Sequence, residues 1–143
     1  MKITKEITFD SAHMLSNYSG KCSNLHGHTY KVQVTLEGEV NQKVGMIVDF
    51  NELKNVLNET IMKLFDHAII FSGPEIRDES ENELLKWAVE HHKKHFILVS
   101  GKTTCENLCS IICNIVQDYL SFGQNDLKVF VKLWETPTSF AEC

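Results

Sequence analysis

Only two prolines and no compositionally biased stretch interrupt the 143 residues. The sequence therefore offers no linker, and residues 1–143 read as a single domain. No run of 18 apolar residues is present, which argues against a membrane-spanning helix. The opening MKITKEITFD is polar and alternating, unlike a secretory signal. Basic residues are outnumbered, 14 Lys and Arg against 19 Asp and Glu. With no basic run either, a nucleic-acid surface is not expected. Five cysteines, an odd number without secretory context, read as reduced thiols in a cytoplasmic protein. What remains, 43% hydrophobic and 23% charged, is the balance of a globular chain able to bury a sizeable core.

Alternation is the first positive signal. Ile3, Ile7, Phe9, Ser11 and His13 fall on one face of residues 2–14, and Thr4, Glu6, Thr8 and Asp10 on the other. That is the pattern of a half-buried strand. His26, His28, Tyr30, Val32, Val34 and Leu36 share a face of the next segment, opposite Thr29, Lys31, Gln33, Thr35 and Glu37. Residues 127–136 alternate again, with Leu127, Val129, Val131, Leu133 and Glu135 together.

Between these strands the spacing turns helical. Asp49 is a candidate N-cap with Glu52 three residues on, and Phe50, Leu53, Val56, Leu57, Ile61 and Leu64 form a stripe. A second helix is predicted over 80–94 and a short strand at 96–100. A third helix runs from about Thr104 to Leu120, with Leu108, Ile111, Ile112, Ile115 and Tyr119 toward the core. The order predicts an α+β fold, an antiparallel sheet with helices on one face.

The three alternating faces carry polar residues at their ends: His13 on the first, His26 and His28 on the second, Glu135 on the last. Two apart on a strand, His26 and His28 point the same way, roughly 6.5–7 Å apart along it. An antiparallel hairpin would bring His13 to the same end. Three neutral imidazoles suit Zn²⁺ and leave a fourth position for water or substrate. A lone histidine would more simply be a hydrogen-bonded core residue; three arriving by independent patterns favour the metal.

Cys22 leaves two readings open. As a fourth ligand it would close a structural zinc site. As a free thiol near a cation, its lowered pKa would make it a base or nucleophile. Asp66 beside His67 is the pairing of a general acid/base, although neighbours on a strand face opposite ways unless the chain bends there. Glu135 on an apolar face needs a partner, either a guanidine-like ligand edge or an internal Lys or Arg. Cys105, Cys109 and Cys113, spaced by four, read as packing. His91, His92 and His95, beside Lys93 and Lys94, read as a solvated helix end.

FDSAHML, CSNLHGHTY, GMIVDFNELK, FDHAI, TTCENL and VKLWETPTSFAEC occur in this order. Together they resemble the 6-pyruvoyl-tetrahydropterin synthase / 6-carboxy-tetrahydropterin synthase family, from about residue 5 to the C-terminus. The resemblance implies a tunnelling fold (T-fold), in which the sheets of several subunits close into a barrel. It implies a homohexamer, a dimer of trimers, with active sites between subunits. It assigns His13, His26 and His28 to Zn²⁺ and makes Cys22 catalytic. Asp66 and His67 become an acid/base pair reaching Cys22 from an adjacent subunit. Glu135 would grip the pterin edge, with Thr104 and Glu106 near the ring.

The substrate so implied is 7,8-dihydroneopterin triphosphate. The three residues between Cys22 and His26 resemble the bacterial 6-carboxy enzymes of queuosine biosynthesis, lyases that release acetaldehyde and triphosphate. Animal-type 6-pyruvoyl enzymes have a longer gap. TTCEN departs from the family's PTSEN or PTAEN, and the segment between FDH and TTCEN is long. A 6-pyruvoyl-type product and a non-catalytic zinc-bound pterin-binding protein are the alternatives.

Overall fold

Two twelve-residue strands, β1 (Lys2–His13) and β2 (His26–Glu37), pair antiparallel along their whole length, from Lys2 opposite Glu37 to His13 opposite His26. The computed structural model describes residues 1–91, 95–121 and 126–143. Strand β5 (Lys128–Thr136) continues the antiparallel sheet beside β2, and β6 (Ser139–Glu142) turns back on β5. On the other flank, β3 (Ala68–Phe71) and β4 (Phe96–Leu98) run parallel to β1 and to one another. The order is β4-β3-β1-β2-β5-β6. The sheet is therefore mixed, an antiparallel half of four strands widened by two parallel ones. Strands this short carry too few alternating positions to announce their direction, which their helical connections set instead.

Helices cover one face. Asp49 caps α1 (Phe50–Leu57) by accepting the Asn51 N–H at 2.6 Å. A widened π turn, Asn58–Met62, joins α1 to α2 (Lys63–Phe65). The wider turn shifts the buried stripe by one residue, so Phe65 enters the core and Leu64 stays exposed. Phe50 is also exposed, because Ile47 and Val48 already fill the core ahead of Leu53.

Helix α3 (Glu79–Glu90) ends short of the predicted 94. His91 stacks on Trp87 there, and His92, Lys93 and Lys94 lie outside the described residues. Helix α4 (Cys105–Ser121) buries Leu108, Cys109, Ile112, Val116 and Leu120 against β5 and β6. Its Tyr119, expected inside, is exposed, which leaves the phenol hydroxyl in water. Leu57, Ile61, Ile112 and Leu133 are fully buried, each worth about 1.5–3 kcal/mol in apolar burial. This core fixes the sheet, and with it the strand ends that carry the site.

Candidate active site

Because His13 lies opposite His26 and Ser11 opposite His28, the β1–β2 register brings three imidazoles to one end of the sheet. Ring centroids are 4.6 Å (His13–His26), 4.9 Å (His26–His28) and 5.2 Å (His13–His28). One nitrogen from each lies within 4.8 Å of the others. Gly27, between the two β2 histidines, passes so close to β1 that a Cβ would stand 3.2 Å from the Ser11 carbonyl oxygen. Below the triangle, Tyr30 stacks on Phe9 and makes an aromatic floor.

Second partners fix the ring tautomers. The Nδ1–H of His13 donates to the Thr103 carbonyl, and that of His26 to the Asn24 carbonyl, each at 2.8 Å. A carbonyl only accepts, so the proton sits on Nδ1 and Nε2 carries the lone pair, met in His13 by the Tyr30 hydroxyl at 3.4 Å. Among the described residues, Nε2 of His26 and of His28 is buried with no hydrogen-bond partner. Burial, and then the two neighbouring imidazoles, pull the His13 pKa down to about 4 against the raising effect of the Thr103 carbonyl. Burial also lowers His28, though Glu135 pulls the other way. Three convergent imidazole nitrogens, two of them orphaned, are what a divalent metal requires, so the donor set fits Zn²⁺.

The wall beside the triangle is a pocket of about 310 Å³. Cys22, on a single 3₁₀ turn (Lys21–Ser23), lines it with His13, Thr104, Glu106 and Glu135. Cys22 does not belong to the cluster of potential ligand atoms. Its carbonyl accepts the Leu15 N–H at 2.8 Å, which draws the loop back across the end of β1. Glu135, near the end of β5, sets Oε1 3.8 Å from Nε2 of both His13 and His28. Thr104 starts α4, its hydroxyl accepting the Asn107 N–H, and Glu106 is exposed in the first turn.

Asp66 and His67 lie elsewhere. The chain does bend there: His67 has φ +60°, outside the range most side chains favour. Its N–H donates to the Asp10 carbonyl at 2.6 Å, which holds the bend. The bend brings Asp66 Oδ2 3.0 Å from His67 Nδ1, while Asp66 Oδ1 accepts the Asp10 N–H. Partial burial works to raise the Asp66 pKa, but the Asp10 N–H and His67 outweigh it and hold the carboxyl below its usual range. His67 is exposed and lines a recess with Asp10, Gly27, His28 and Ala68. Cys22 lines the other pocket.

Several supporting residues carried no signal of their own. Tyr30, whose hydroxyl is 3.4 Å from His13 Nε2, looks like any strand aromatic. Thr103 acts through its carbonyl, which every residue has. Asn107 ties down the Ser100 and Lys102 carbonyls beside Gly101, whose φ of +74° suits glycine. Only its place within TTCENL hinted at this.

The family model for 6-pyruvoyl tetrahydropterin synthase matches residues 2–143. A Haemophilus influenzae protein named 6-carboxy-5,6,7,8-tetrahydropterin synthase is 38% identical, covering 99% of this chain and 96% of its own. One of the same name from Rickettsia felis is 29% identical, covering 99% of each. A crystal structure of an uncharacterised Wolinella succinogenes protein has TM-score 0.79 at 25% identity, covering 100% of this chain and 97% of that one. The 6-pyruvoyl tetrahydropterin synthase of Caenorhabditis elegans shares the fold, with TM-score 0.71 at 24% identity, covering 100% of this chain and 94% of its own. Among the described residues no helix is long and apolar enough to cross a membrane. With its T-fold sheet and a match from its second residue to its last, the chain belongs to the 6-pyruvoyl tetrahydropterin synthase family.

Proposed function

We propose that the protein is a zinc-dependent 6-carboxy-5,6,7,8-tetrahydropterin synthase. It converts 7,8-dihydroneopterin triphosphate to 6-carboxy-tetrahydropterin, acetaldehyde and triphosphate, in queuosine precursor synthesis. The observation that carries this is a triangle of three convergent imidazoles, two with unpartnered Nε2 atoms, whose His13 lines one pocket with a free thiol, Cys22, and the Glu135 carboxylate. Relatives of the same length that bear the 6-carboxy name support the choice of product.

His13, His26 and His28 hold the Zn²⁺, which when bound supplies Lewis acidity toward the hydroxyls of the pterin side chain. Glu135 accepts two N–H bonds from the guanidine-like edge of the ring and sets its orientation. Thr104 and Glu106 flank the ring at the start of α4. Cys22, as thiolate, takes a proton from the side chain. His67, oriented by Asp66, exchanges protons on the opposite side. In this reading His67 comes from a neighbouring subunit of a homohexamer built from two trimers; that Cys22 and His67 line separate recesses of one chain supports it. Lys21, Lys31, Lys102 and Lys132 are candidates for the triphosphate. Five free cysteines are consistent with a cytoplasmic setting.

Zinc-loaded protein incubated with 7,8-dihydroneopterin triphosphate should release acetaldehyde and a 6-carboxy pterin, followed by mass spectrometry. Cys22→Ala should release neither while keeping its zinc. A product that retains all three side-chain carbons would instead assign the 6-pyruvoyl reaction. An intense sulfur-to-metal band in the cobalt-substituted protein would make Cys22 a ligand and overturn its catalytic role.

A further inference from the structure

Glu81 is a carboxylate with no solvent exposure, on the third residue of α3 and outside the active-site pocket. Burying such a group is costly unless its oxygens are answered. The answers come from two distant segments. The Ser72 N–H donates to Oε1 at 2.6 Å, and the Ser16 hydroxyl donates to Oε2. Ser16 is itself fully buried and accepts the Asp78 N–H at 3.1 Å. In an ordinary capping box the third-residue glutamate would bond the cap residue's own N–H. Here the Ser16 hydroxyl stands between them and is locked on both sides.

The lock continues into the next residue. The Asn17 N–H donates to Asp78 Oδ2, and Asn17 Nδ2 to the Ile76 carbonyl, both at 3.0 Å. Asn17 has φ +56°, a conformation asparagine tolerates better than most residues. Ser16 and Asn17 belong to the loop that leaves His13 and arrives at Cys22, closed by the Leu15–Cys22 backbone bond. The loop that carries the thiol is thus fastened to α3.

We infer that Glu81 is a positioning residue: through Ser16 it sets the path of the 14–23 loop and so places the Cys22 thiol on the pocket wall. The inference rests on the catalytic role proposed for Cys22. It also gives a use to part of the long segment between FDH and TTCEN, since that segment contributes both Glu81 and Ser72. The chemistry requires an acceptor at Glu81 rather than a charge. Glu81→Gln keeps an oxygen for the Ser72 N–H but turns an amide donor toward Ser16, whose hydroxyl proton loses its acceptor, so it should keep more of kcat than Glu81→Ala and less than the parent.

The test uses the zinc-loaded full-length protein carrying Ser16→Ala, Glu81→Ala or Glu81→Gln. Ser16→Ala removes one hydroxyl and keeps the assay readable if Glu81→Ala fails to fold. Turnover, zinc content and the rate of iodoacetamide labelling at Cys22, located by mass spectrometry, are measured for each. Ser16→Ala should lower kcat about 10- to 100-fold with KM within a factor of about three, because misplacing a reacting group costs that much. Zinc content stays that of the parent, and Cys22 labels several-fold faster once the loop is released. Unchanged kcat and unchanged labelling at Cys22 in Ser16→Ala would overturn the inference. If the parent itself turns nothing over, the proposed activity fails; the labelling rate then still decides whether the loop is held in this way.

Discussion

A carboxylate at the end of an apolar strand is expensive to keep there unless something answers its charge. For Glu135, two partners were open from the sequence. Among the described residues no Lys or Arg forms an ion pair with it, and its contacts are with His13 and His28. The guanidine-like ligand edge is the partner proposed for it. Glu135→Gln replaces a two-oxygen acceptor with one acceptor and one donor, and puts a donor against a donor. A charge-assisted pair is worth about 1.5–3 kcal/mol, so KM should rise roughly 10- to 100-fold. Removing the negative charge also removes the influence that raises the His28 pKa, so that ring stays neutral and zinc content should not change. Steady-state kinetics beside metal analysis checks both. Loss of zinc with KM unchanged would make Glu135 a support of the metal rather than a grip on the substrate.

At the scale of elements, α3 depends on Asp78. Its carboxylate accepts the Glu81 N–H and the Asn17 N–H, each at 3.0 Å, and the first of these leads in lowering its pKa. Folding therefore favours the ionised form. The stabilisation is present above the unfolded-chain value and is lost as pH falls through the lower folded value. Asp78→Ala should cost about 1–2 kcal/mol at neutral pH, as losing an N-cap does. Denaturant titrations should show parent and variant converging in acid, below about pH 3.9. A gap that persists there would mean the loss is one of packing.

The same scale shows how far the sequence reading reached. Twelve-residue strands with strict alternation, such as β2, announce their own register, and so the meeting of His13, His26 and His28 was legible. Phe65 was not, because one π turn moves the buried face and no residue type marks a π turn. The contribution of Ser16 and Glu81 was hidden too, since an ordinary serine and a helix-start glutamate signal only surface until distant segments close over them.

At the scale of the whole molecule, Cys22 and the Asp66–His67 corner face different recesses of one chain. If a site takes its thiol from one subunit and its imidazole from the next, Cys22→Ala and His67→Ala homo-oligomers are each inactive for different reasons. Unfolded together, mixed equally and refolded, they should recover activity. A site works when its thiol comes from a His67→Ala chain and its imidazole from a Cys22→Ala chain. Random assembly in a closed ring makes that about a quarter of the sites. Recovery near that fraction, absent from either variant alone, establishes the shared site. No recovery from mixed oligomers that retain zinc and their parent size would place both groups' work within one chain, and His67 would then need another role.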